Sequence, residues 1–151
     1  MKHYRTTAHS KYDLKVHVVF IPKYRKQILA GEVAITVRDL IRQICSENDV
    51  EIISGKVAKD HVHLFVSYSP HLSVSKMMQK IKGKSAYKIF SLHPKLKQQF
   101  WGKHFWARGY LAISSGNITD ELIAEYIESQ SGEAIHHGPI EVDEQDTSVS
   151  P

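Results

Sequence analysis

The chain has 151 residues, of which 42% are hydrophobic and 24% are charged, a composition typical of one globular domain. It contains a single cysteine, Cys45, so a disulfide framework within the chain is excluded and a reducing compartment is expected. No apolar run approaches the ~18 residues that a membrane span needs, and the polar N-terminal residues do not resemble a signal peptide. These features predict a cytoplasmic protein with no membrane contact, in which Cys45 is a buried, inert thiol.

The net charge of +4 is unevenly distributed along the chain. Residues 133–151 carry five acidic residues and no Lys or Arg, whereas residues 61–119 carry nine Lys and Arg residues and no Asp or Glu. The basic segment favours a nucleic-acid partner, although a solvated lysine-rich surface has the same composition. We therefore predict one domain over residues 1–132 and an acidic, disordered tail over residues 133–151.

The first part of the chain predicts two strands separated by a helix. Residues 14–21 are rich in β-branched residues and end at Pro22, as a strand does. Apolar residues then recur at helical spacing over residues 32–48. Residues 50–58 predict the second strand, with Gly55 as the position of a bulge.

The rest of the pattern completes a known arrangement of strands and helices. The remaining elements are a strand over 61–68, a helix from Ser73 or Ser75 to about residue 92, a strand over 105–114, and a helix from about Asn117 to Gln130. Asp60 at the junction of the second and third strands allows a tight antiparallel hairpin. The order βαββαβ, followed by an extra C-terminal helix, predicts an α+β, ferredoxin-like fold, which is also the plan of RNA-recognition modules. Two helices then cover one face of a four-stranded antiparallel sheet, and the other face stays open for a ligand or the extra helix.

The third predicted strand opens with two histidines, His61 and His63. Because side chains alternate along a strand, both histidines lie on one face, while Val62, Leu64 and Val66 take the core face. Two imidazoles at this spacing can converge on one metal ion with N–metal bonds of ~2.1 Å. In a chain with ten histidines the pair alone is weak, and two half-exposed histidines at a strand edge are an equally simple interpretation.

The last predicted helix carries Tyr126 and Gln130 one turn apart on its apolar half. Taken alone, Tyr126 is most simply a core tyrosine. Gln130 is less expected there, because a packed amide needs hydrogen-bond partners or a ligand. If this helix packs on the open sheet face, the amide oxygen of Gln130 completes a three-ligand site with the two histidines. A divalent cation in such a site would stabilise phosphoryl transfer, and a tyrosine suits a reversible transfer that passes through a phosphotyrosine.

Taken in order, these motifs resemble the single-tyrosine HUH transposases of prokaryotic insertion sequences and their REP-associated relatives. Residues 61–63, HVH, match the His-hydrophobic-His signature, and Tyr126 with Gln130 matches the family's helical Tyr-x-x-x-Gln. Further matching stretches are VVFIPKYRKQIL at 18–29, DHVHLFV at 60–66, IKGKSAYKIF at 81–90, FWARGYLAIS at 105–114 and EYIESQ at 125–130. The resemblance covers residues 10–131. One departure is SSG at residues 114–116, where the family often carries a threonine or valine.

The resemblance implies a role for each of these residues. His61 and His63 are expected to bind Mg or Mn with Gln130 as the third ligand, and Tyr126 is the expected nucleophile. The family cleaves and rejoins single-stranded DNA at transposon ends, leaving a 5′-phosphotyrosine and a free 3′-OH, and it recognises hairpins near those ends. Its members are homodimers in which the tyrosine helix of one subunit can serve the histidines of the other. The candidate DNA contacts are Lys23, Arg25, Lys82, Lys84 and, in the basic segment, Arg108.

Two other hypotheses for the function stay open. One is a non-catalytic, single-stranded nucleic-acid binder of RNA-recognition-module fold, although HVHLFV replaces the aromatic strand motif of such modules. The other is a host-adapted relative that retains cleavage and no longer mobilises an element. Four rings are candidates for base stacking, although rings beside a strand are more often core: Phe100, Trp101, Phe105 and Trp106. Asp60 is either a partner that orients a histidine or a turn residue.

Overall fold

The computed structural model describes residues 4–100, 104–114 and 120–129. The strands in this part of the chain are β1 (Arg5–Thr6), β2 (Lys11–Tyr12), β3 (Leu14–Phe20), β4 (Glu51–Ala58), β5 (His61–Tyr68) and β6 (Leu111–Ile113). The helices are α1 (Gly31–Glu47), α2 (Val74–Leu92) and α3 (Asp120–Ser129), with short 3-10 turns at Lys23–Arg25 and Pro94–Gln99. No helix in the described ranges is both long enough and apolar enough to cross a bilayer.

Four strands form one antiparallel sheet in the order β4-β5-β3-β6, and β1 pairs with β2 in a separate ribbon. The first and third strands of the βαββαβ unit, β3 and β5, are therefore neighbours at the centre of the sheet. This is the strand order of a ferredoxin-like fold, so the predicted α+β class and four-stranded sheet are confirmed.

The two faces of the sheet are buried in different ways. Val18, Val62 and Val66 are completely buried and belong to one hydrophobic cluster with side chains of α1 and α2. By strand alternation, Val19 and Ile21 point to the other face, and they too are completely buried, outside that cluster. The second face is thus covered near β3, whereas the histidines of β5 on the same face are only partly buried.

The hairpin between β4 and β5 is as tight as the sequence predicts. Ala58 pairs with His61, so Lys59 and Asp60 alone form the turn. This places His61 at the first position of β5, directly beside the carboxylate of Asp60. The next helix, α2, begins after Ser73, as expected for one of the two candidate caps, because its Oγ accepts a hydrogen bond of 3.0 Å from the amide of Lys76.

The predicted bulge at Gly55 is wrong in position. The irregularity in the β4–β5 register lies between Ile52 and Ser54, two residues earlier. Gly55 has a different reason to lack a side chain, since a Cβ there would lie 3.0 Å from Cδ2 of Leu64. The glycine therefore allows close packing over the hairpin and leaves the strand's pairing unbroken.

The fourth strand is shorter than the predicted range 105–114. Only Leu111–Ile113 pairs with β3, and Trp106 adds one isolated bridge to Pro22. Phe105 and Trp106 are buried in the core, where the indole Nε1 donates a 2.9 Å hydrogen bond to Ser85. Backbone hydrogen bonds still join residues 105 and 107 to residues 23 and 21, so the pairing is interrupted only at 108–110, where Gly109 has a φ of 78°.

The aromatic connection before β6 is core and is closed to bases. Phe100, Phe105 and Trp106 are at most 6% exposed, and their rings contact one another edge to face or tilted. These three rings are therefore core side chains, which is the commoner role of rings beside a strand, and they are not available to stack on bases. Trp101 lies outside the described residues.

The C-terminal part is described only over α3. The helix spans Asp120–Ser129 and carries Tyr126, in agreement with the predicted helix over its central part. The predicted start near Asn117, the ligand candidate Gln130, most of the SSG turn at 114–116 and the acidic tail at 133–151 lie outside the described residues.

Candidate active site

The histidine pair lies on the sheet face opposite the helices. Val62, Leu64 and Val66 are at most 4% exposed and fill the core, whereas His61 and His63 are both half-buried on the other face. The alternation predicted from the sequence is therefore correct. Two histidines at positions i and i+2 on a central strand can share a ligand once their rings turn toward each other.

His61 has a fixed partner. Its Nδ1 lies 2.9 Å from Oδ1 of Asp60, and its side chain is 16% exposed. An ionised carboxylate only accepts hydrogen bonds, so the proton of the neutral imidazole sits on Nδ1 and the lone pair remains on Nε2. A histidine that ligates a metal usually has such an acceptor behind it. Of the two roles open for Asp60, the structure gives it both, since it also forms the hairpin turn.

His63 contacts a third histidine that sequence reasoning did not single out. Nδ1 of His17, on β3, lies 3.1 Å from Nε2 of His63. The His17 ring stacks on Phe65, with centroids 4.1 Å apart and an angle of 11° between the planes. Burial lowers the pKa of His17, which favours its neutral form. The available signal was a polar residue in the middle of the apolar run VHVVF, combined with pairing of the first and third strands.

Tyr126 lies on α3 with its hydroxyl oxygen buried. Burial raises the pKa of the phenol to about 12, because the phenolate loses solvation. The neighbouring Ile127 is 8% exposed, whereas Leu122 is 37% exposed. The helix is thus anchored near Tyr126, and the phenol in this conformation is neutral at physiological pH.

The predicted DNA contacts differ in availability. Lys84 and Arg108 are exposed, and Lys23 and Arg25 are half-buried in the 3-10 turn after β3. In contrast, Nζ of Lys82 donates hydrogen bonds of 2.7 Å to the carbonyl oxygens of residues 107 and 109. Burial lowers the pKa of Lys82 to about 8. Lys82 therefore fastens the segment before β6 to α2, a role the sequence did not indicate.

The turn that carries Lys23 and Arg25 has an unusual backbone. Tyr24 and Arg25 have φ angles of 64° and 50°, in the left-handed region that non-glycine residues rarely adopt. The turn exposes Tyr24, with Nζ of Lys23 at 5.3 Å and Nζ of Lys26 at 6.0 Å from its ring centroid. It leaves the sheet at the end where β5 begins, because Phe20 is paired with Val62.

The fold and the site together define a class of protein. A ferredoxin-like sheet with a His-hydrophobic-His strand on its open face, followed by a helix with a tyrosine, is the plan of the single-tyrosine HUH transposases. Comparison with known proteins agrees: residues 10–130 match the model of the family described as "Transposase IS200 like". The chain belongs to the IS200-like transposase family.

Individual relatives are similar over most of the chain. The ISDra2 transposase TnpA of Deinococcus radiodurans is 38% identical over 119 residues, covering 79% of this chain and 85% of that protein. The transposase of insertion sequence element IS200 from Salmonella typhimurium is 34% identical, covering 83% and 82%. The crystal structure of a transposase from Deinococcus radiodurans is also similar, with a TM-score of 0.78 at 33% identity over 83% of this chain and 97% of that one.

Proposed function

We propose that this transposase cleaves and rejoins single-stranded DNA through a covalent bond between Tyr126 and a 5′-phosphate. The observation that carries the proposal is the arrangement on β5. The bond to Asp60 keeps the proton of His61 on Nδ1 and leaves a lone pair on Nε2, and His63 lies on the same sheet face two residues further along. The proposed nucleophile is the phenol of Tyr126 on α3, whose hydroxyl oxygen is buried, and burial raises its pKa to about 12 so that the phenol is neutral.

The donor set suits a hard or borderline divalent cation such as Mg²⁺ or Mn²⁺. His61 would supply one imidazole nitrogen and His63 a second, with the amide oxygen of Gln130 as the proposed third ligand. Such a cation, when bound, neutralises charge on the phosphate oxygens and polarises the phosphorus. Two imidazoles and one amide leave coordination positions open, as a phosphate ligand requires.

The reaction itself is a pair of phosphoryl transfers. The Tyr126 oxygen attacks the scissile phosphorus and loses its proton. The bond from phosphorus to the 3′-oxygen breaks, leaving a free 3′-OH and a 5′-phosphotyrosine. A 3′-OH of another strand then attacks the phosphotyrosine, which restores the phenol and reseals the DNA. The phenolate is a better leaving group than an alkoxide, so the step is reversible without an external energy source.

The expected substrate is single-stranded DNA with hairpins near the ends of a mobile element. Its polyanionic backbone fits the exposed cations Lys84 and Arg108 and the turn at Lys23–Arg25. Oligonucleotides from the DNA flanking the coding region, with the hairpin intact or scrambled, test this preference. Equal binding of both would remove the hairpin from the proposal and leave strand cleavage untouched.

Cleavage is tested by trapping the covalent adduct. The full chain is incubated with single-stranded element ends and Mn²⁺, and the products are separated under denaturing conditions. A slower protein–DNA band should form, disappear with a chelator, and be absent from Tyr126→Phe. Tyr110→Phe is a matched control, because it removes another phenol near the sheet. An adduct that persists in Tyr126→Phe would exclude Tyr126 as nucleophile.

We also propose a homodimer in which α3 of one subunit serves the histidines of the other. Mixing two inactive variants tests this arrangement. Tyr126→Phe and His63→Ala, refolded together, should recover about a quarter to a half of the wild-type adduct if the site is shared between subunits. No recovery from mixed dimers of verified composition would place the tyrosine and histidines in one subunit.

A further inference from the structure

His17 and His63 contact each other across neighbouring strands. Their ring centroids are 5.3 Å apart, and the closest nitrogens, Nδ1 of His17 and Nε2 of His63, are at hydrogen-bond distance, 3.1 Å. The His17 ring is held in place by its stack on Phe65. The outer nitrogen of His63, which is the one farthest from the backbone, is therefore occupied by a side chain of the protein.

The register of the sheet shows the direction in which His63 leans. Val19 pairs with His63, and His17 pairs with Phe65. His61 lies on the opposite side of His63 along β5. A His63 ring that reaches His17 thus extends toward Phe65 and away from His61. No group of three or more His, Cys, Asp or Glu side chains within the described ranges is arranged to hold a metal, and the proposed ligand set of two histidines and one amide has only two such members.

Hydrogen bonding and metal ligation through Nε2 exclude each other. A neutral imidazole has one protonated nitrogen and one nitrogen with a single lone pair. If His17 donates, the Nε2 lone pair of His63 is already used. If His63 donates, Nε2 carries a proton and has no lone pair to offer. In both tautomers the contact with His17 must break before Nε2 can bind a cation.

We propose that His17 is a positioning residue that holds His63 in a metal-free rotamer, from which a divalent cation must displace it to bring His63 beside His61. The two histidines of the signature then differ in whether they must change rotamer before they bind the cation. The hydrogen bond to Asp60 leaves Nε2 of His61 available to the cation, whereas the hydrogen bond with His17 occupies Nε2 of His63. This inference rests on the proposed function, since it requires that His61 and His63 bind a metal.

The test is the affinity for Mn²⁺ in the absence of DNA, measured from the electron paramagnetic resonance signal of free Mn²⁺. His17→Phe retains a ring to stack on Phe65 and removes the competing nitrogen. It should bind Mn²⁺ about fivefold more tightly than the wild type, as expected when one neutral hydrogen bond no longer competes. His17→Asn restores a polar group near the position of Nδ1 and should return the affinity to within about twofold of wild type.

The outcomes separate the inference from the proposed function. Binding that is unchanged or weaker in His17→Phe would overturn the inference, and weaker binding would identify His17 as the support of a His63 that ligates through Nδ1. His61→Ala sets the background from other histidines. If wild type, His17→Phe and His61→Ala all bind alike, the metal site itself fails, and the inference fails with it.

A second measurement needs no variant. In the wild type, imidazole ¹⁵N resonances are followed during titration with Mg²⁺. Both His63 and His17 should shift to saturation with the same midpoint, although His17 is not a ligand, because its hydrogen bond is lost. A His17 resonance that stays unchanged while His61 and His63 reach saturation would overturn the proposal.

Discussion

Replacing Asp60 should weaken metal binding, because this carboxylate selects the tautomer of His61. The Nδ1–Oδ1 distance is 2.9 Å, and the two side chains are 16% and 27% exposed, so water competes only in part for the bond. A hydrogen bond to a charged group in such surroundings contributes ~1.5–3 kcal/mol. Loss of an outer partner of a metal-binding histidine typically lowers affinity by about 10- to 100-fold, which is the same range.

Asp60→Leu removes the acceptor at similar size, and we expect its dissociation constant for Mn²⁺ to rise by about 10- to 100-fold. Asp60→Asn retains an acceptor oxygen without the charge, so its loss should stay below about tenfold. Titration calorimetry on the full chain gives both values, with Asp39→Asn as the control, since Asp39 pairs only with exposed arginines of α1 in the described residues. Affinity within about twofold of wild type in Asp60→Leu, while His61→Ala abolishes binding, would refute the role given to Asp60.

Three further predictions concern stability and ionisation. Lys82→Met removes the donor to the carbonyl oxygens of Ala107 and Gly109, so the free energy of unfolding should fall by ~1–2 kcal/mol. The urea midpoint should then be lower, and an unchanged midpoint would contradict a stabilising role of Lys82. The pKa of Tyr126 rises from about 10 in the unfolded chain to about 12 in the folded one, so the free energy of unfolding should fall as pH increases through this window. Ultraviolet titration of Tyr126→Phe should lack one late-ionising phenol, whereas full ionisation of the wild-type phenols near pH 10 would count against burial of Tyr126. Tyr24 has a φ of 64°, which glycine adopts without strain, so Tyr24→Gly should leave the free energy of unfolding unchanged or higher. A β-branched residue is strained at this φ, so Tyr24→Val should lose ~1–2 kcal/mol, and equal losses in both variants would argue against backbone strain.

Much of the fold follows from local patterns in the sequence. The alternation in β5 fixes which side chains enter the core, and a two-residue junction at Asp60 fixes the hairpin. Helical spacing and the cap at Ser73 locate α2. These signals are local, since they depend on neighbours within a few positions, and the structure agrees with them closely.

The features that the sequence did not predict depend on distant residues. The His17–His63 contact joins positions 46 residues apart, and it follows from the register of β3 against β5. The short β6 results from an interruption of the pairing at residues 108–110, where Gly109 has a φ of 78° and Lys82 of α2 donates hydrogen bonds to the carbonyl oxygens of residues 107 and 109. The sequence predicted Lys82 as a DNA contact, whereas in the fold its Nζ is hydrogen-bonded to the segment before β6.

The central claim is that Tyr126 becomes covalently joined to DNA, and peptide mapping of the trapped adduct tests it most directly. After reaction with a single-stranded element end, the protein is digested and the DNA-linked peptide is sequenced by mass spectrometry. We predict a 5′-phosphonucleotide on Tyr126, in the peptide that contains EYIESQ, and an unmodified 3′-OH on the released strand. A nucleotide on another side chain, or a 3′-phosphate linkage to the protein, would contradict the account.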